Sequence, residues 1–290
     1  MADGLTSLPI GEDMLGAAQA SGLDLRAALS GDDDELRPTE IAQPALLLVE
    51  CALRSTLPDD VDVVAVAGHS VGEYAAAVAA GALRPDDAMR IVIERGRAMA
   101  SMRDGTMAAL LGIDVDVATA VCADAQRETG EVVVVANHNA PGQLVISGTR
   151  EGVDAAGKIA LERGARRVIP LNVSGAFHSP LMTAAAAQFA RTLDGATVSA
   201  PHPPVVCNVD GQAVRSADDL RDRLRSQLTS PVRWIDCVQT LVDLGAETLV
   251  EVGPGTVLSG LARRIAPHVR TVSVNTAEAG ARLDVAMVAG

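Results

Sequence analysis

Val61-Asp62-Val63-Val64-Ala65-Val66-Ala67-Gly68-His69-Ser70-Val71-Gly72-Glu73 is the stretch on which the fold turns. Its first seven residues, Asp62 apart, are an apolar run rich in β-branched valine, which predicts a buried parallel strand. An Ala-rich helix is expected over Val71–Ala80. Between them stands Gly-x-Ser-x-Gly, the pattern of a nucleophile elbow, in which a tight strand-to-helix turn exposes the serine hydroxyl above the sheet edge. The Val71 amide would face the same space and could bind a developing oxyanion, helped by the positive end of the helix dipole. A second reading fits the same letters. Ser70-x-x-Glu73 is a capping box, and a serine before a helix is ordinarily a cap. Capping alone does not require glycine on both flanks, and the two readings can coexist.

Helices are expected on either side of this core, over Thr39–Leu57 and from Pro85 to about Met102, with Asp86 and Asp87 favourable in the first turn of the latter. The middle has its own rhythm: strand 106–112, helix 115–127, strands 131–136 and 143–147, helix 150–163 and strand 166–171. The order β-α-β-β-α-β is the ferredoxin-like pattern. A helix over Pro180–Leu193, a strand at Pro204–Val206, helices 218–228 and 233–244, a strand at Thr248–Val252 with a helix after it, and a strand at Arg270–Val274 follow. Such alternation implies an α/β protein with a mainly parallel sheet covered on both faces. The expected organisation is a large α/β-hydrolase-like domain, residues 1–105 and 173–290, with a small ferredoxin-like subdomain, residues 106–172, inserted in it.

Composition narrows the function. Of the 290 residues 48% are apolar, so a sizeable core can form, but Phe, Tyr and Trp together make only 1%, so it must be aliphatic. The same scarcity leaves no base-stacking platform, and a net charge of -13 repels phosphate backbones, so nucleic acid is not an expected partner. Lys158 is the sole lysine, which reads as compositional bias. Cys51, Cys122, Cys207 and Cys237 form no CxxC pair, so no metal site is expected and buried free thiols are. The first eleven residues lack a basic n-region and an apolar run, and no apolar stretch is long enough to span a bilayer, which makes a cytoplasmic protein the default. Gly31–Glu35 reads as an acidic solvated turn.

A nucleophilic serine needs a base. Of the five histidines, His178 stands in Val173-Ser174-Gly175-Ala176-Phe177-His178-Ser179-Pro180, after the last strand of the insert and before a helix, where a side chain can face the cleft between subdomains. A structural role for a lone histidine is equally open on this pattern. His69 adjoins Ser70, and adjacent turn residues rarely aim at one point; His202 and His268 read as surface residues.

Gly68-His69-Ser70-Val71-Gly72-Glu73-Tyr74 resembles the active-site motif of malonyl-CoA:acyl carrier protein transacylases and of polyketide synthase acyltransferase domains. Further segments resemble the same family in the same order along nearly the whole chain: Gln43-Pro44-Ala45-Leu46, Glu94-Arg95-Gly96, Asn139-Ala140-Pro141-Gly142-Gln143, Gly175-Ala176-Phe177-His178-Ser179, Gln227-Leu228 with Pro231-Val232-Arg233-Trp234, and Glu251-Val252-Gly253-Pro254-Gly255. The resemblance implies Ser70 as nucleophile, His178 as its base, and Gln227 holding the imidazole through its backbone carbonyl. Arg95 would bind the malonyl carboxylate, a match for its two-pronged donor. His69, Phe177, Asn139 and Gln43 are implied to bind substrate, Val71 to serve the oxyanion, and Phe177 to favour an unbranched acyl group. Without the family, Arg95 and Gln227 would read as surface residues of helices.

The implied activity transfers malonyl from malonyl-CoA to the phosphopantetheine thiol of an acyl carrier protein through a malonyl-serine ester, with no cofactor or metal of its own. Fatty acid synthesis is the implied setting, with polyketide synthesis as an alternative. A serine hydrolase and a carrier-binding paralogue without turnover are rivals. Docking of an acidic carrier on an acidic chain needs a local basic patch, for which Arg221, Arg223, Arg225, Arg263 and Arg264 are candidates. The family ordinarily opens with a strand and a Gly-Gln-Gly-Ser-Gln loop whose glutamine amide is the second oxyanion donor. No such segment is in this sequence, so it is expected to be short at its amino end, the strand belonging beside Val61–Ala67. Gly175 stands where family residues vary.

Overall fold

The computed structural model describes residues 4–32, 34–58 and 61–283; Asp33 of the acidic turn and the first three residues of the amino-terminal stretch lie outside them. Three helices, α1 (Pro9–Ala20), α2 (Leu25–Ser30) and α3 (Thr39–Arg54), precede strand β1 (Val66–Ala67), helix α4 (Gly72–Ala79) and helix α5 (Pro85–Ala100). Next come β2 (Thr106–Leu111), α6 (Val115–Thr129), β3 (Val133–Ala140), β4 (Gln143–Gly148), α7 (Arg150–Glu162) and β5 (Arg167–Pro170). The remainder is α8 (Thr183–Asp194), β6 (Val205–Val206), β7 (Ala213–Val214), α9 (Ala217–Ser226), α10 (Trp234–Asp243), β8 (Thr248–Val252), α11 (Val257–Ile265), β9 (Arg270–Val274) and α12 (Ala277–Ala281), with single 3-10 turns at Pro180–Met182 and Gln227–Thr229.

Small residues set the geometry of the helical part. A Cβ on Gly96 would stand 2.8 Å from the Glu40 Cα, so α5 approaches α3 backbone to backbone. That approach puts Arg95, one residue earlier, opposite Gln43. Ala45, Leu48 and Ala52 of α3 share one aliphatic core with Ala88, Val92 and Met99 of α5. Tyr74 and Phe189 form an edge-to-face pair within it, at 6.2 Å between centroids.

The fold is mixed α/β, and its sheets are separate. β1 pairs in parallel with β6, which pairs antiparallel with β7; β8 pairs in parallel with β9. Residues 106–170 form an antiparallel sheet in the order β3-β4-β2-β5, with α6 and α7 packed on it around Leu110, Val121, Ile146 and Val153. A mainly parallel sheet is therefore not what the described residues form; the parallel pairs are two. The Val61–Ala67 run is strand only at Val66–Ala67, because earlier residues find no ladder partner. α1 and α2, unmarked in the sequence reading, had start signals in Pro9 with Glu12 and in Asp24, whose carboxylate accepts the Ala27 N–H. All four cysteines are free and buried. Among the described residues no helix is long and apolar enough to cross a membrane.

Two of the late signature segments do structural work. Glu251, in β8, accepts the Leu258 and Ser259 N–H groups and so caps α11. Val232 exchanges backbone hydrogen bonds with Ala136 and His138, fastening the 106–170 sheet to the segment before α10.

Candidate active site

The elbow is a turn only glycine permits. A Cβ on Gly68 would lie 2.0 Å from backbone atoms of Gly72. Ser70 sits at φ 53°, the left-handed region, where a side chain is strained. Asn208, fully buried after β6, holds the turn from beneath: its Oδ1 accepts the Ser70 N–H at 2.7 Å and its Nδ2 donates to the Gly68 carbonyl at 2.8 Å. Among the described residues the Val71 N–H has no backbone partner, as an oxyanion donor requires. The capping box does not form. α4 takes no side-chain cap, and Glu73 turns inward instead.

His178, at φ 56°, brings Nε2 to 2.8 Å from Ser70 Oγ. Its Nδ1 lies 3.1 Å from the Gln227 carbonyl and 3.2 Å from that of Ser230. Two carbonyls can only accept, so Nδ1 carries the proton and Nε2 is left to accept the serine proton. Burial, with the Arg95 charge second, holds the imidazole down to about 3, so it is neutral at ordinary pH. Among the described residues no carboxylate bonds to the ring.

Arg95 is 1% exposed and in no ion pair among the described residues. Its Nη2 donates to Ser70 Oγ at 3.1 Å and to Gln227 Oε1 at 2.9 Å; its Nη1 donates to Gln43 Oε1 at 2.5 Å. The guanidinium carbon lies 5.6 Å from the Tyr74 ring centroid, and Nε has no partner. Burial pulls its pKa down, with Tyr74 and Glu73 opposing. A desolvated guanidinium without a carboxylate, beside a nucleophile, is a receptor for an anionic group.

Ser70, His178, Gln227, Arg95 and Gln43 thus form one bonded network. His69 and Asn139 form a second pair, Nε2 to Oδ1 at 2.9 Å, with the imidazole edge-on to Trp234 at 5.5 Å. His69 is bonded to Asn139 and to neither Ser70 nor His178, and burial lowers its pKa. Phe177 is half-buried between the main core and Met107, Ala136 and Val145 of the antiparallel sheet. Sequence reasoning missed Asn208, Glu73 and Ser230. Asn208 could have been suspected from its place just past the short strand expected at 204–206; nothing marked Ser230, whose backbone carbonyl alone is used. Among the described residues no three metal-ligating side chains cluster. A cavity of about 580 Å³ lies under the elbow between residues 61–67 and β8. On its wall is Glu50, whose Oε2 is unpartnered and whose carboxyl burial raises to about 8.

Comparison with known proteins places this geometry. Residues 16–277 match the acyl transferase domain family. The malonyl CoA-acyl carrier protein transacylase of Bacillus subtilis is 42% identical over 252 residues, 86% of this chain and 79% of that protein. The crystal structure of FabD from Acinetobacter baumannii superposes with a TM-score of 0.91 at 34% identity, covering 100% of this chain and 94% of that one. A type II polyketide synthase acyl carrier protein in complex with its malonyl-transacylase gives 0.89 at 35% identity, covering 96% and 93%.

Proposed function

Because this chain belongs to the acyl transferase domain family, with malonyl-CoA:acyl carrier protein transacylases among its relatives, we propose that it carries malonyl from malonyl-CoA to an acyl carrier protein through an ester on Ser70. The observation that carries this reading is the convergence on Ser70 Oγ of a neutral imidazole at 2.8 Å and an unpaired buried guanidinium at 3.1 Å.

Arg95 takes the malonyl carboxylate, which fixes the thioester carbonyl over Ser70. Ser70 Oγ attacks that carbon while its proton passes to His178 Nε2, and the Val71 N–H meets the oxyanion. The carbon–sulfur bond breaks, and the coenzyme A sulfur leaves with the proton from Nε2. The phosphopantetheine thiol of the carrier then gives its proton to Nε2 and attacks the ester. Ser70 Oγ recovers the proton as the new thioester forms. The Gln227 and Ser230 carbonyls stabilise the transient imidazolium without a formal charge. The chain needs no resident cofactor, since the donor brings coenzyme A and the carrier its own arm.

Fatty acid synthesis is the proposed pathway; a polyketide carrier would use the same residues. We read residues 106–172 as a ferredoxin-like subdomain set into an α/β-hydrolase-like domain, and the cytoplasm as the place of work. A hydrolase is disfavoured by the carbonyls at Nδ1 and by Arg95. Radiolabelled malonyl-CoA tests the proposal: label should appear on Ser70 and leave on adding phosphopantetheinylated carrier. A chain that stays unlabelled is a binding paralogue, and one that releases free malonate at the rate of transfer is a hydrolase.

A further inference from the structure

Glu73 is fully buried in the middle of the site. Its Oε2 accepts from the Gln227 side-chain amide and its Oε1 from the Asn208 backbone N–H at 3.4 Å. Gln227 presents its other end to Arg95, its Nε2 also reaches the Ser70 carbonyl at 3.0 Å, and its backbone carbonyl holds His178 Nδ1. Asn208 holds the Ser70 N–H and the Gly68 carbonyl. The two residues that Glu73 grips are therefore those that grip the base and the nucleophile. The Gln227 amide lies between a buried cation and a buried anion, oxygen to Arg95 and nitrogen to Glu73, so the two charges fix which way it points.

We infer that the Glu73 carboxylate is a positioning residue for acyl transfer, acting through Gln227 on His178 and through Asn208 on Ser70. The inference rests on the malonyl-transfer reading. Protonation would undo the arrangement, because a carboxyl hydroxyl must donate and the groups facing it are donors. They are the Gln227 amide, the Asn208 N–H after β6, and the Arg95 cation on α5. The Cys207 thiol, beside Asn208, is a weak acceptor at best. Tyr74 on α4 and Cys237 on α10 complete the titratable groups within its field, and both are held protonated by burial. Arg223 and Asp210 act one step further out, on Cys207. Burial raises the Glu73 carboxyl to about 7, against hydrogen bonds from Gln227, Cys207 and Asn208 and the charge of Arg95. His178 is held far lower, at about 3, so a rise of activity near neutrality is expected from Glu73 and not from the base; Glu50, the other raised carboxyl, touches none of these groups.

The test is the pH dependence of kcat/KM for malonyl transfer in the wild-type protein, Glu73→Gln and Glu50→Gln. The wild type should gain activity as pH rises through about 7. Glu73→Gln should lose that rise and run slower, up to ~100-fold if His178 is displaced by an ångström. Its KM for malonyl-CoA should change far less than its kcat, which a general loss of folding would not produce. Glu50→Gln, which removes the other raised carboxyl but none of these contacts, should keep the rise. Persistence of the rise in Glu73→Gln, or its loss in Glu50→Gln, overturns the inference. If Glu73→Gln does not fold, carbon-13 NMR of glutamate carboxyls in Glu50→Gln decides: one titrating near neutrality supports the assignment, and all titrating in the ordinary range of about 4 to 5 overturns it. A wild-type chain that forms no malonyl-serine at any pH removes the transfer reading and this inference together; transfer with the rise intact in Glu73→Gln removes the inference alone.

Discussion

Ser70 and His178 are hydrogen-bonded at 2.8 Å, and among the described residues they are also the non-glycine residues in the left-handed region, at φ 53° and 56°. Both backbones are bent where bending is costly, and the bends aim the two side chains at each other. Neighbouring contacts hold both bends: Asn208 pins the Ser70 amide, and Ser179 closes the turn at His178 by donating to the Ala176 carbonyl at 2.6 Å and accepting the Leu181 N–H. Strain of this kind is held by surrounding contacts and gathers at functional sites.

The strain at Ser70 can be measured by comparing two inactive variants. Ser70→Ala and Ser70→Gly both lose the hydroxyl and its bonds to His178 and Arg95, so neither can form an acyl-enzyme. Glycine occupies positive φ without the Cβ penalty. Ser70→Gly should therefore unfold later than Ser70→Ala, by roughly 1–2 kcal/mol less the extra chain entropy of glycine. Thermal or urea unfolding of the pair measures it. The reverse order would mean that the bend is not strained in the folded chain.

Arg95→Ala should separate dicarboxylic from simple acyl groups. The guanidinium is desolvated and, among the described residues, in direct ion pair with no carboxylate; Glu73 acts on it only across Gln227. Malonyl transfer should fall by about 2–5 kcal/mol in kcat/KM, the worth of a buried charge-assisted pair. Acetyl transfer, which has no carboxylate to hold, should fall far less, by no more than the loss of the Gln227 and Ser70 contacts costs. Equal loss for both acyl groups would assign Arg95 to holding Gln43 and Gln227 in place.

The residues that lie next to one another in sequence were the most legible ones. Gly68, Ser70 and Gly72 specify their turn by local sterics, so the elbow could be read directly. His178, Gln227 and Arg95 could be assigned only by resemblance, because nothing local says that residues on four separate segments meet. Glu73 was misread for the same reason: three residues after a serine it looks like a cap, and only the tertiary fold brings Asn208 and Gln227 to it. Val61–Ala65 has strand composition but is neither paired nor buried among the described residues, with Val64 38% exposed: β-branched composition favours a strand only where neighbouring strands are there to pack and pair with it.

Of the five arginines considered for carrier docking, the structure favours two. Arg223 pairs with Asp210 and Arg225 with Asp194, while Arg221 is spent on the Leu193 and Ala196 carbonyls. Arg263 and Arg264, on α11, pair with no carboxylate among the described residues; Arg263 meets Thr271, and Arg264 meets Gln143 and the Pro141 carbonyl. Reversing both charges should raise KM for the carrier at low salt, with the difference shrinking as salt rises, and leave malonyl-CoA KM alone. Reversing Arg223 and Arg225 should do less. An unchanged carrier KM for the α11 variant would move the docking face elsewhere.

Stability should depend on pH through His178 in a definite direction. In the unfolded chain its imidazole takes a proton near pH 6.5, whereas burial and Arg95 delay this in the folded chain to about 3. Between those values the unfolded state binds more protons, so the folded state loses stability as pH falls through the window. His178→Gln cannot bind that proton and should show a flatter stability profile there, whatever its absolute stability. An equally steep slope in the variant would mean that the imidazole is already protonated in the fold.

Phe177 should set the choice between malonyl and methylmalonyl. It directly precedes His178 and is wedged between two clusters, the main core and Met107, Ala136 and Val145 of the antiparallel sheet. The ring packs close to the Gly175 backbone, where a Cβ would stand 2.5 Å from the Met102 carbonyl oxygen and 3.0 Å from the ring. The ring therefore has little freedom to move, and if it borders the acyl group as the family resemblance implies, an α-methyl would have to displace it. One methyl in an apolar pocket is worth about 1–3 kcal/mol, so the preference for malonyl should be about 10–200-fold in kcat/KM and incomplete. Phe177→Ala should bring the two thioesters closer, by raising methylmalonyl transfer more than it lowers malonyl transfer. Gly175→Ala must move the ring or the backbone, and should alter the ratio without touching a substrate atom. Competition between the two thioesters for one enzyme measures each ratio directly. Equal kcat/KM in the wild-type protein, or a ratio unmoved by Phe177→Ala, would show that selection against the α-methyl is made elsewhere in the pocket.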